Sequence, residues 1–261
     1  MRKTFKELLA TDQLIRLFAI GRVVHPVVVE MYGLAGGFHG FWLDQEHAFI
    51  STEQLVMASL AAKANNFDCF VRLAPTGYSP VTQCLETGVG GVMAAQIHSA
   101  EQAEEFVKWT KFAPRGTRGL NLSGRDANYT HKSVTQFIED ANREHFVAIQ
   151  IETLGSLDEA DAIAAIDGVD LLFVGPADLS LALGVPGQFH DDKLWEAIGK
   201  VSAACKNHGK GWGAVVPDPK FCDRAVELGC RMPTIGNEVG VLRRGIEWFQ
   251  KSFNSQFDDP R

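Results

Sequence analysis

The chain has 261 residues and a mass of 28.6 kDa, a length that suits a single α/β barrel of about 250 residues. Its formal net charge of −7, without any clustered Lys/Arg stripe, argues against a nucleic-acid-binding protein. The sequence has no apolar run near the roughly 20 residues of a membrane span and no signal-peptide core, so we expect a cytoplasmic protein without a membrane partner. Its five cysteines lack C-x-x-C spacing, which predicts reduced, buried thiols rather than a disulfide framework or a zinc site.

Short apolar runs alternate with helical patterns along the chain. The predicted strands are Leu17–Gly21, Phe41–Asp44, Cys69–Leu73, Gly91–Gln96, Phe146–Glu152, Leu171–Gly175, Trp212–Val216 and Met232–Gly236. The predicted helices are 3–16, His25–Gly33, Ser51–Asn65, Ser79–Thr87, Ser99–Thr110, Val134–Glu144, Leu157–Ala165, Asp192–Asn207, Pro219–Leu228 and Gly240–Phe253, before a polar tail, Asn254–Arg261. Eight strand signals separated by helix signals predict a single (β/α)8 TIM barrel over residues 1–261, with the first helix plugging its closed end.

Residues 113–130 interrupt this alternation. The run from Pro114 to Gly119 and the polar stretch from Asn121 to Tyr129 have neither helical nor strand periodicity. Because long irregular loops within compact domains are usually functional, we expect a role for this segment.

Two strand ends carry acidic residues, Glu152 after the fifth strand and Asp178 shortly after the sixth. The carboxyl ends of neighbouring parallel strands share one mouth, where such barrels bind ligands. Two carboxylates there repel each other unless a cation or a shared proton intervenes, and an oxygen-ligated divalent metal would meet that need. The alternative is structural: Glu152 is then an acid at a helix start, and Asp178 is the N-cap of a helix over Leu179–Leu183.

Further polar residues are predicted at the same ends of the strands, whereas the opposite ends carry little beyond Gly and solvent-facing charge. These residues are Asp44, Glu46, His47, Arg72, Gln96 and Gln150. Their convergence on one mouth predicts an active site.

A general acid/base and a fixed cation can be assigned among them. Asp44 lies three residues before His47 and could orient its imidazole for proton transfer, although a half-exposed loop histidine is the alternative. Arg72 follows an apolar run, which favours either a fixed cation for a developing oxyanion or a structural ion pair with Asp44, Glu46 or Glu86.

The residues around the fifth and sixth strand ends suit a small anionic substrate. Gln150 alternates with Glu152 and therefore shares its face of the strand, which makes Gln150 a candidate substrate-binding residue. The turn from Gly175 to Ala177 offers backbone N–H groups to a carboxylate or phosphate, although a plain tight turn is the alternative and Pro176 has no donor. No predicted strand ends in Lys, which argues against a Schiff-base enzyme.

Five motifs in this order resemble the HpcH/HpaI aldolases, the metal-dependent class II pyruvate aldolases. They are Asp44-Gln45-Glu46-His47-Ala48, Val71-Arg72, Arg118-Gly119, Gln150-Ile151-Glu152-Thr153 and Gly175-Pro176-Ala177-Asp178-Leu179-Ser180. The resemblance runs from Leu17 to about Phe249, and the last two motifs are the specific ones. It implies a barrel of the phosphoenolpyruvate/pyruvate type and a substrate such as 4-hydroxy-2-oxoheptanedioate or a 2-keto-3-deoxy sugar acid.

The resemblance also implies roles for the residues at the mouth. Glu152 and Asp178 would ligate Mg²⁺ or Mn²⁺, with Co²⁺ as a further candidate, and pyruvate would chelate that ion. Arg72 would stabilise the enolate, His47 with Asp44 would transfer protons through water on the ion, and backbone amides at Ala177 and Asp178 would hold the carboxylate of pyruvate. A Lewis acid and a guanidinium are the groups that stabilise an enolate oxygen, so the chemistry agrees.

Departures from the family pattern concern the substrate and the assembly. Met93-Ala94-Ala95-Gln96 lacks the Pro that many members carry. Glu86 replaces an Asp that reaches a neighbouring subunit's site in some members, and Arg125 could recognise an anionic tail of the aldehyde or face solvent. The resemblance further implies a homo-oligomer, a hexamer with exchanged C-terminal helices. The apolar face of the last helix fits that exchange or packing on its own barrel; it comprises Val241, Leu242, Ile246 and Phe249.

The leading hypothesis is therefore a lyase that cleaves a 4-hydroxy-2-oxo acid to pyruvate and an aldehyde. Oxaloacetate decarboxylation or citrate-lyase-like acyl-CoA cleavage would use the same enolate chemistry, but the sequence shows no basic patch for a CoA nucleotide. A non-catalytic relative that binds pyruvate or metal is the third hypothesis, and it would require the loss of a catalytic group that this sequence retains.

Overall fold

The computed structural model describes residues 3–257, which form a closed barrel of eight parallel strands in sequential order. The strands are β1 (Leu17–Ile20), β2 (Gly40–Asp44), β3 (Asp68–Leu73), β4 (Gly91–Ala94), β5 (Phe146–Ile151), β6 (Leu171–Val174), β7 (Gly211–Val215) and β8 (Cys230–Asn237). Each strand pairs with the next, and β8 closes the barrel on β1. The predicted (β/α)8 barrel is confirmed.

Helices connect the strands and form the outer layer. They are α1 (Phe5–Leu9), α2 (Pro26–Ala35), α3 (Thr52–Ala64), α4 (Tyr78–Glu86), α5 (Ala100–Thr110), α6 (Val134–Glu144), α7 (Leu154–Asp158), α8 (Ala160–Ala165), α9 (Pro176–Ala182), α10 (Asp192–Asn207), α11 (Pro219–Glu227), α12 (Glu238–Ser252) and α13 (Asn254–Phe257). None of these helices of residues 3–257 is long and apolar enough to span a bilayer.

The hydrophobic core has two parts, divided by the wall of the barrel. Alternate residues of each strand point outward to the helices, as Phe41 and Val71 do, or inward, as Trp42 and Phe70 do. Inside the barrel, Trp42 donates its indole N–H to Thr234 Oγ1 at 3.0 Å, so this polar atom of the interior is satisfied.

The closed end of the barrel is plugged by a helix shorter than predicted. Helix α1 covers five residues rather than 3–16, and Phe5 stacks edge-on against Phe70 at 5.6 Å and contacts Phe146 at 5.7 Å between ring centroids. The helix ends at Leu9 with Ala10 as its C-cap, and the hydroxyl of Thr11 donates to the carbonyl of Leu8 just beyond it. The plug therefore forms from a short helix, and an irregular segment connects it to β1.

The closed end also holds buried charge, contrary to the expectation of little beyond Gly and exposed charge. Asp68 at the start of β3 accepts the N–H of Phe5 at 2.8 Å. Lys111 is buried, and its Nζ donates to the carbonyls of Asn142 and His145 at 3.2 and 2.9 Å. Pattern analysis missed these residues because each is a single charge between neighbours that carry none, and its partners lie far away in the sequence.

The segment 113–130 has no helix or strand, as predicted, and is fixed by Arg118. The Arg118 guanidinium pairs with Asp126, and its Nη1 lies 3.1 Å from Nδ1 of His145. Burial, followed by the charge of Arg118, lowers the pKa of His145 well below its usual value, so the neutral ring accepts this contact. The guanidinium also lies 4.8 Å from the ring centroid of Phe112.

Three other element boundaries differ from the prediction. The helix expected over Leu157–Ala165 is two helices, α7 and α8, which meet at Glu159, whose carboxylate accepts the N–H of Ala100 at 2.6 Å. The region read as a polar tail begins with α13, and residues 258–261 lie outside the described range. Helix α9 begins at Pro176, ahead of Asp178, so the N-cap reading of Asp178 is wrong.

Helix α12 leaves the barrel after its first residue. Glu238 is buried, and its Oε1 accepts the backbone N–H groups of Gly21, Arg22 and Val23 at 2.9, 2.6 and 3.1 Å. From Val241 onward every described residue is exposed. The exposed large apolar residues of this region are Val241, Leu242, Ile246, Trp248, Phe249, Phe253 and Phe257. The helix therefore does not pack its apolar face on its own barrel.

Candidate active site at the open end of the barrel

Side-chain alternation along the strands builds the open end of the barrel. Trp42 and Phe70 point inward, so Asp44 and Arg72, two residues further along β2 and β3, point inward one layer higher. The strand register pairs Asp44 directly with Arg72. Gln150 stands near the end of β5 and is buried.

Arg72 is held by two carboxylates and is 9% exposed. Its Nε and Nη2 donate to the two oxygens of Asp44 at 3.2 and 2.8 Å, and its Nη1 lies 3.3 Å from Oε2 of Glu46. Burial alone would raise the pKa of Asp44, but the hydrogen bonds and charge of Arg72 outweigh it and lower that pKa. Of the three acids considered as partners, Glu86 lies elsewhere and accepts from Asn121 Nδ2. The result is a cation fixed in one orientation at the mouth.

His47 lies on the loop after β2 with its side chain 59% exposed. Asp44 does not orient the imidazole, contrary to the expectation from spacing: Oδ1 of Asp44 instead accepts the backbone N–H groups of Glu46 and His47 at 3.0 and 3.2 Å. Both carboxylate oxygens of Asp44 are also engaged by Arg72, which explains this difference. The acid beside the ring is Glu46, whose Oε1 lies 3.7 Å from Nε2.

Glu152 is 1% exposed and receives hydrogen bonds on both carboxylate oxygens. Oε1 accepts the backbone N–H of Gln96 at 2.8 Å and its side-chain Nε2 at 3.2 Å, while Oε2 accepts Nε2 of Gln150. The prediction that Gln150 and Glu152 share a face is therefore confirmed. Gly175 passes so close that a Cβ there would lie 2.5 Å from both Gln150 Nε2 and Glu152 Oε2.

The start of α9 faces the same end of the barrel. Gly175 is its N-cap and has no side chain to cap the helix, and Pro176 occupies the first turn. The backbone N–H groups of Ala177 and Asp178 therefore lack a side-chain cap. Ala177 is exposed and Asp178 half-buried, so both are accessible to a ligand.

The mouth carries an excess of negative charge. Burial, followed by the charges of Glu46 and Asp178, raises the pKa of Glu152 to about 7, although the N–H of Gln96 and the charge of Arg72 oppose the shift. One guanidinium thus faces several carboxylates. Such a site favours either a bound proton or a cation.

These residues fit a divalent ion. Within residues 3–257 no three His, Cys, Asp or Glu side chains form a ready metal site, so the ion would rest on fewer protein ligands. Glu152 and Asp178 supply hard carboxylate oxygens of the kind that Mg²⁺ and Mn²⁺ prefer, and such ions keep positions for water and substrate. Oε1 of Gln150 is buried without a hydrogen-bond partner, as expected where a ligand completes a site.

Sequence reasoning placed two residues incompletely. Gln96 was expected at the mouth but received no role, and its left-handed backbone (φ 54°) has no signal in the sequence. Arg125 is half-buried and donates to Ser59 Oγ at 2.7 Å, while its N–H donates to the carbonyl of Glu86. It therefore binds the outer helices near the closed end, rather than an aldehyde tail at the mouth or solvent alone.

Comparison with curated proteins finds relatives over nearly the whole chain. The 5-keto-4-deoxy-D-glucarate aldolase of Klebsiella pneumoniae is 30% identical, and the alignment covers 95% of this chain and 96% of the relative. The enzyme of the same name from Escherichia fergusonii is 31% identical over the same shares of the two chains.

A solved structure and a family model agree with these relatives. The HpcH/HpaI aldolase of Desulfitobacterium hafniense superposes with a TM-score of 0.89 at 28% identity, covering 98% of each chain. Residues 42–244, which include every mouth residue described above, match the model of the HpcH/HpaI aldolase/citrate lyase family. The chain belongs to the HpcH/HpaI aldolase/citrate lyase family, as its motifs predicted.

Proposed function

We propose that this lyase is a divalent-metal-dependent aldolase that reversibly cleaves a 4-hydroxy-2-oxo acid to pyruvate and an aldehyde. The observation that carries the proposal is the pairing of a buried, doubly hydrogen-bonded carboxylate, Glu152, with a guanidinium, Arg72, held by Asp44 and Glu46 at the same mouth. Cleavage of the carbon–carbon bond leaves negative charge on an enolate oxygen, and this mouth offers a cation site and a fixed positive charge for it.

Glu152 and Asp178 would hold the ion, with Mg²⁺ or Mn²⁺ favoured by their oxygen donors and Co²⁺ as a further candidate. When bound, a divalent ion acts as a Lewis acid on the keto and enolate oxygen. Gln96 and Gln150 donate hydrogen bonds to the carboxylate of Glu152, and these fix its orientation before any ligand binds.

The other residues bind and orient the substrate. Arg72 is already fixed by its acids, so it directs its positive charge at the keto oxygen without a reorganisation cost. The uncapped N–H groups of Ala177 and Asp178 bind the carboxylate of the 2-oxo acid. The unpartnered Oε1 of Gln150 accepts a hydrogen bond from a bound ligand or water.

His47 is the proton carrier of the proposal. In the cleavage direction the 4-hydroxyl group must lose a proton as the bond to C3 breaks, and C3 of the enolate must then gain one. The exposed imidazole is open to solvent, with which it can exchange protons, and Oε1 of Glu46 lies 3.7 Å from its Nε2. Asp44 contributes indirectly, because it fixes Arg72 and the backbone of His47.

The assembly proposed for the enzyme is a homo-oligomer with exchanged C-terminal helices, a hexamer by resemblance to the family. Two exposed surfaces support it. The apolar face of α12 is uncovered, and a groove of ≈ 460 Å³ between α2 and the start of α12 is lined mainly by apolar side chains, among them Val28, Met31 and Phe38. A partner's α12 would cover such a groove, since monomeric proteins rarely expose apolar patches of this kind.

The decisive experiment measures pyruvate release from 4-hydroxy-2-oxo acids of different chain lengths after treatment with EDTA and then with Mg²⁺, Mn²⁺ or Co²⁺. We expect activity to disappear with EDTA and to return with metal, and the Glu152→Ala variant to stay inactive at saturating metal. Full activity of that variant would refute the ligand assignment. Pyruvate release from oxaloacetate alone would favour the decarboxylase, and cleavage of an acyl-CoA thioester alone would favour the citrate-lyase-like reaction.

A further inference from the structure

Gln96 combines a strained backbone with an exposed side chain at the mouth. Its φ of 54° lies in the left-handed region, which costs a non-glycine residue roughly 1–2 kcal/mol. The same conformation directs both its backbone N–H and its Nε2 at Oε1 of Glu152. Glu152 is buried, whereas Gln96 is exposed, so the Gln96 side chain forms the outer cover of this carboxylate.

The contact with Glu152 also fixes which way the Gln96 amide faces. Nε2 must be the atom at 3.2 Å from Oε1 of Glu152, because an amide oxygen in that place would repel the carboxylate. The Gln96 Oε1 atom accepts no hydrogen bond from any side chain or backbone group among residues 3–257. The amide therefore presents an oriented hydrogen-bond acceptor to whatever enters the mouth.

We propose that Gln96 is a specificity residue that favours aldehydes carrying a hydroxyl group next to the carbonyl. The inference rests on the proposed aldolase function, in which the aldehyde approaches pyruvate from the open side of Glu152. The hydroxyl of such an aldehyde donates to Oε1 of Gln96, and an aldehyde without it leaves that acceptor to water.

The test compares two aldehydes that differ by this one hydroxyl group, glycolaldehyde and acetaldehyde. The aldol addition of pyruvate is measured with each aldehyde at saturating Mg²⁺, for the wild type, Gln96→Met and Gln96→Gly. Methionine keeps the length of the side chain without its amide. Glycine removes the side chain, suits a positive φ and keeps the backbone N–H on Glu152.

We expect the wild type to prefer glycolaldehyde, and the ratio of the two kcat/KM values to fall about fivefold in both variants, the factor expected for one neutral hydrogen bond. Comparing ratios between variants cancels the intrinsic reactivity of each aldehyde. An unchanged ratio in either variant would overturn the proposal. A loss of the same size with both aldehydes would overturn it too, because Gln96 would then only position Glu152.

A separate measurement distinguishes failure of this inference from failure of the proposed function. Exchange of the methyl protons of pyruvate with deuterium, followed by NMR in D2O, requires enolate formation but no aldehyde. Exchange by the wild type, together with an unchanged aldehyde ratio in the variants, refutes the role of Gln96 alone. Absence of exchange by the wild type refutes the aldolase function, and this inference with it.

Discussion

Gly175, the N-cap of α9, allows the backbone after β6 to pass against the carboxylate of Glu152. Replacing it with alanine should disable the site while leaving the barrel folded. A Cβ at this position would lie 2.5 Å from Gln150 Nε2 and from Glu152 Oε2. Van der Waals contact begins near 3.5 Å, so the two side chains would have to move by roughly 1 Å. Both side chains are buried, so this movement would displace them within the site itself.

The size of the effect follows from this displacement. A misplacement of about 1 Å in a catalytic group costs about 100-fold in rate, so we expect kcat/KM for pyruvate release to fall by that factor. Overpacking a buried site costs about 1–3 kcal/mol. At 2–4 °C per kcal/mol for a chain of this size, the melting temperature of Gly175→Ala should fall by roughly 4–8 °C for the middle of that range.

The assay couples pyruvate release to NADH oxidation by lactate dehydrogenase, with calorimetry for the melting temperature. Gly199→Ala is the matched control: Gly199 lies within α10, and a Cβ there meets no atom within 4 Å. We expect that variant to keep full activity and to gain about 0.5–1 kcal/mol of stability from its higher helix propensity. If Gly175→Ala kept the kcat/KM of the wild type, Gly175 would not lie as close to Gln150 and Glu152 as the structure indicates.

Three further predictions concern the cation at the mouth, the buried charge at the closed end and the assembly. Arg72→Lys should lower kcat/KM about 100- to 1000-fold, because an ammonium cannot reproduce the two parallel bonds to Asp44. Burial, followed by the charge of Lys6, lowers the pKa of Lys111 to about 8. Between pH 8 and 10.5 the unfolded chain therefore binds more protons than the folded chain, and the free energy of unfolding rises with pH. Urea denaturation should show the wild type gaining stability relative to Lys111→Met across that range. Phe249→Glu should reduce the molar mass measured by light scattering toward that of a monomer, since it places a charge on the exposed apolar face of α12.

Each of these predictions has a result that would contradict it, and the last also has a control variant. Retention of wild-type turnover by Arg72→Lys would mean that the orientation of the guanidinium is not used in the reaction. A stability difference between wild type and Lys111→Met that stays constant from pH 7.5 to 10.5 would show that Lys111 titrates normally. Lys251→Glu changes charge on the same helix without removing apolar surface and should leave the molar mass unchanged; dissociation by both substitutions would point to charge rather than to the apolar face.

The barrel was predictable because its signals are local. Strands such as β5 and β6 are short apolar runs bounded by polar residues or glycine, and their order requires no knowledge of distant contacts. Boundaries were less predictable where tertiary contacts decide them. The first helix ends at Leu9, and the chain then turns to bring the N–H of Ile15 to the carbonyl of Arg231 in β8. Periodicity in the sequence carries no trace of that contact.

The site was predictable to the level of which side chains share a face, and not to the level of which atoms meet. Alternation along β5 correctly paired Gln150 with Glu152, because that relation depends only on strand geometry. The prediction that Asp44 orients the imidazole of His47 was wrong, because the carboxylate of Asp44 binds Arg72, a residue 28 positions away. Spacing along the chain cannot reveal that Arg72 and His47 compete for this carboxylate. The left-handed backbone of Gln96 accompanies its two contacts with Glu152, a residue 56 positions away, which spacing along the chain cannot reveal either.

The three hydrogen bonds that Glu238 accepts from the loop after β1 attach the first turn of helix α12 firmly to the barrel. Gly21 in that loop lies against Asp44, since a Cβ on Gly21 would be 3.5 Å from the Cβ of Asp44. The start of α12 is therefore connected, through the loop after β1, to the acid that holds Arg72. A chain truncated after Gly240 keeps the hydrogen bonds of Glu238 and loses the exposed part of α12. A chain truncated before Glu238 loses both. Comparing the two truncated chains therefore separates the contribution of α12 to assembly from its contribution to the active site.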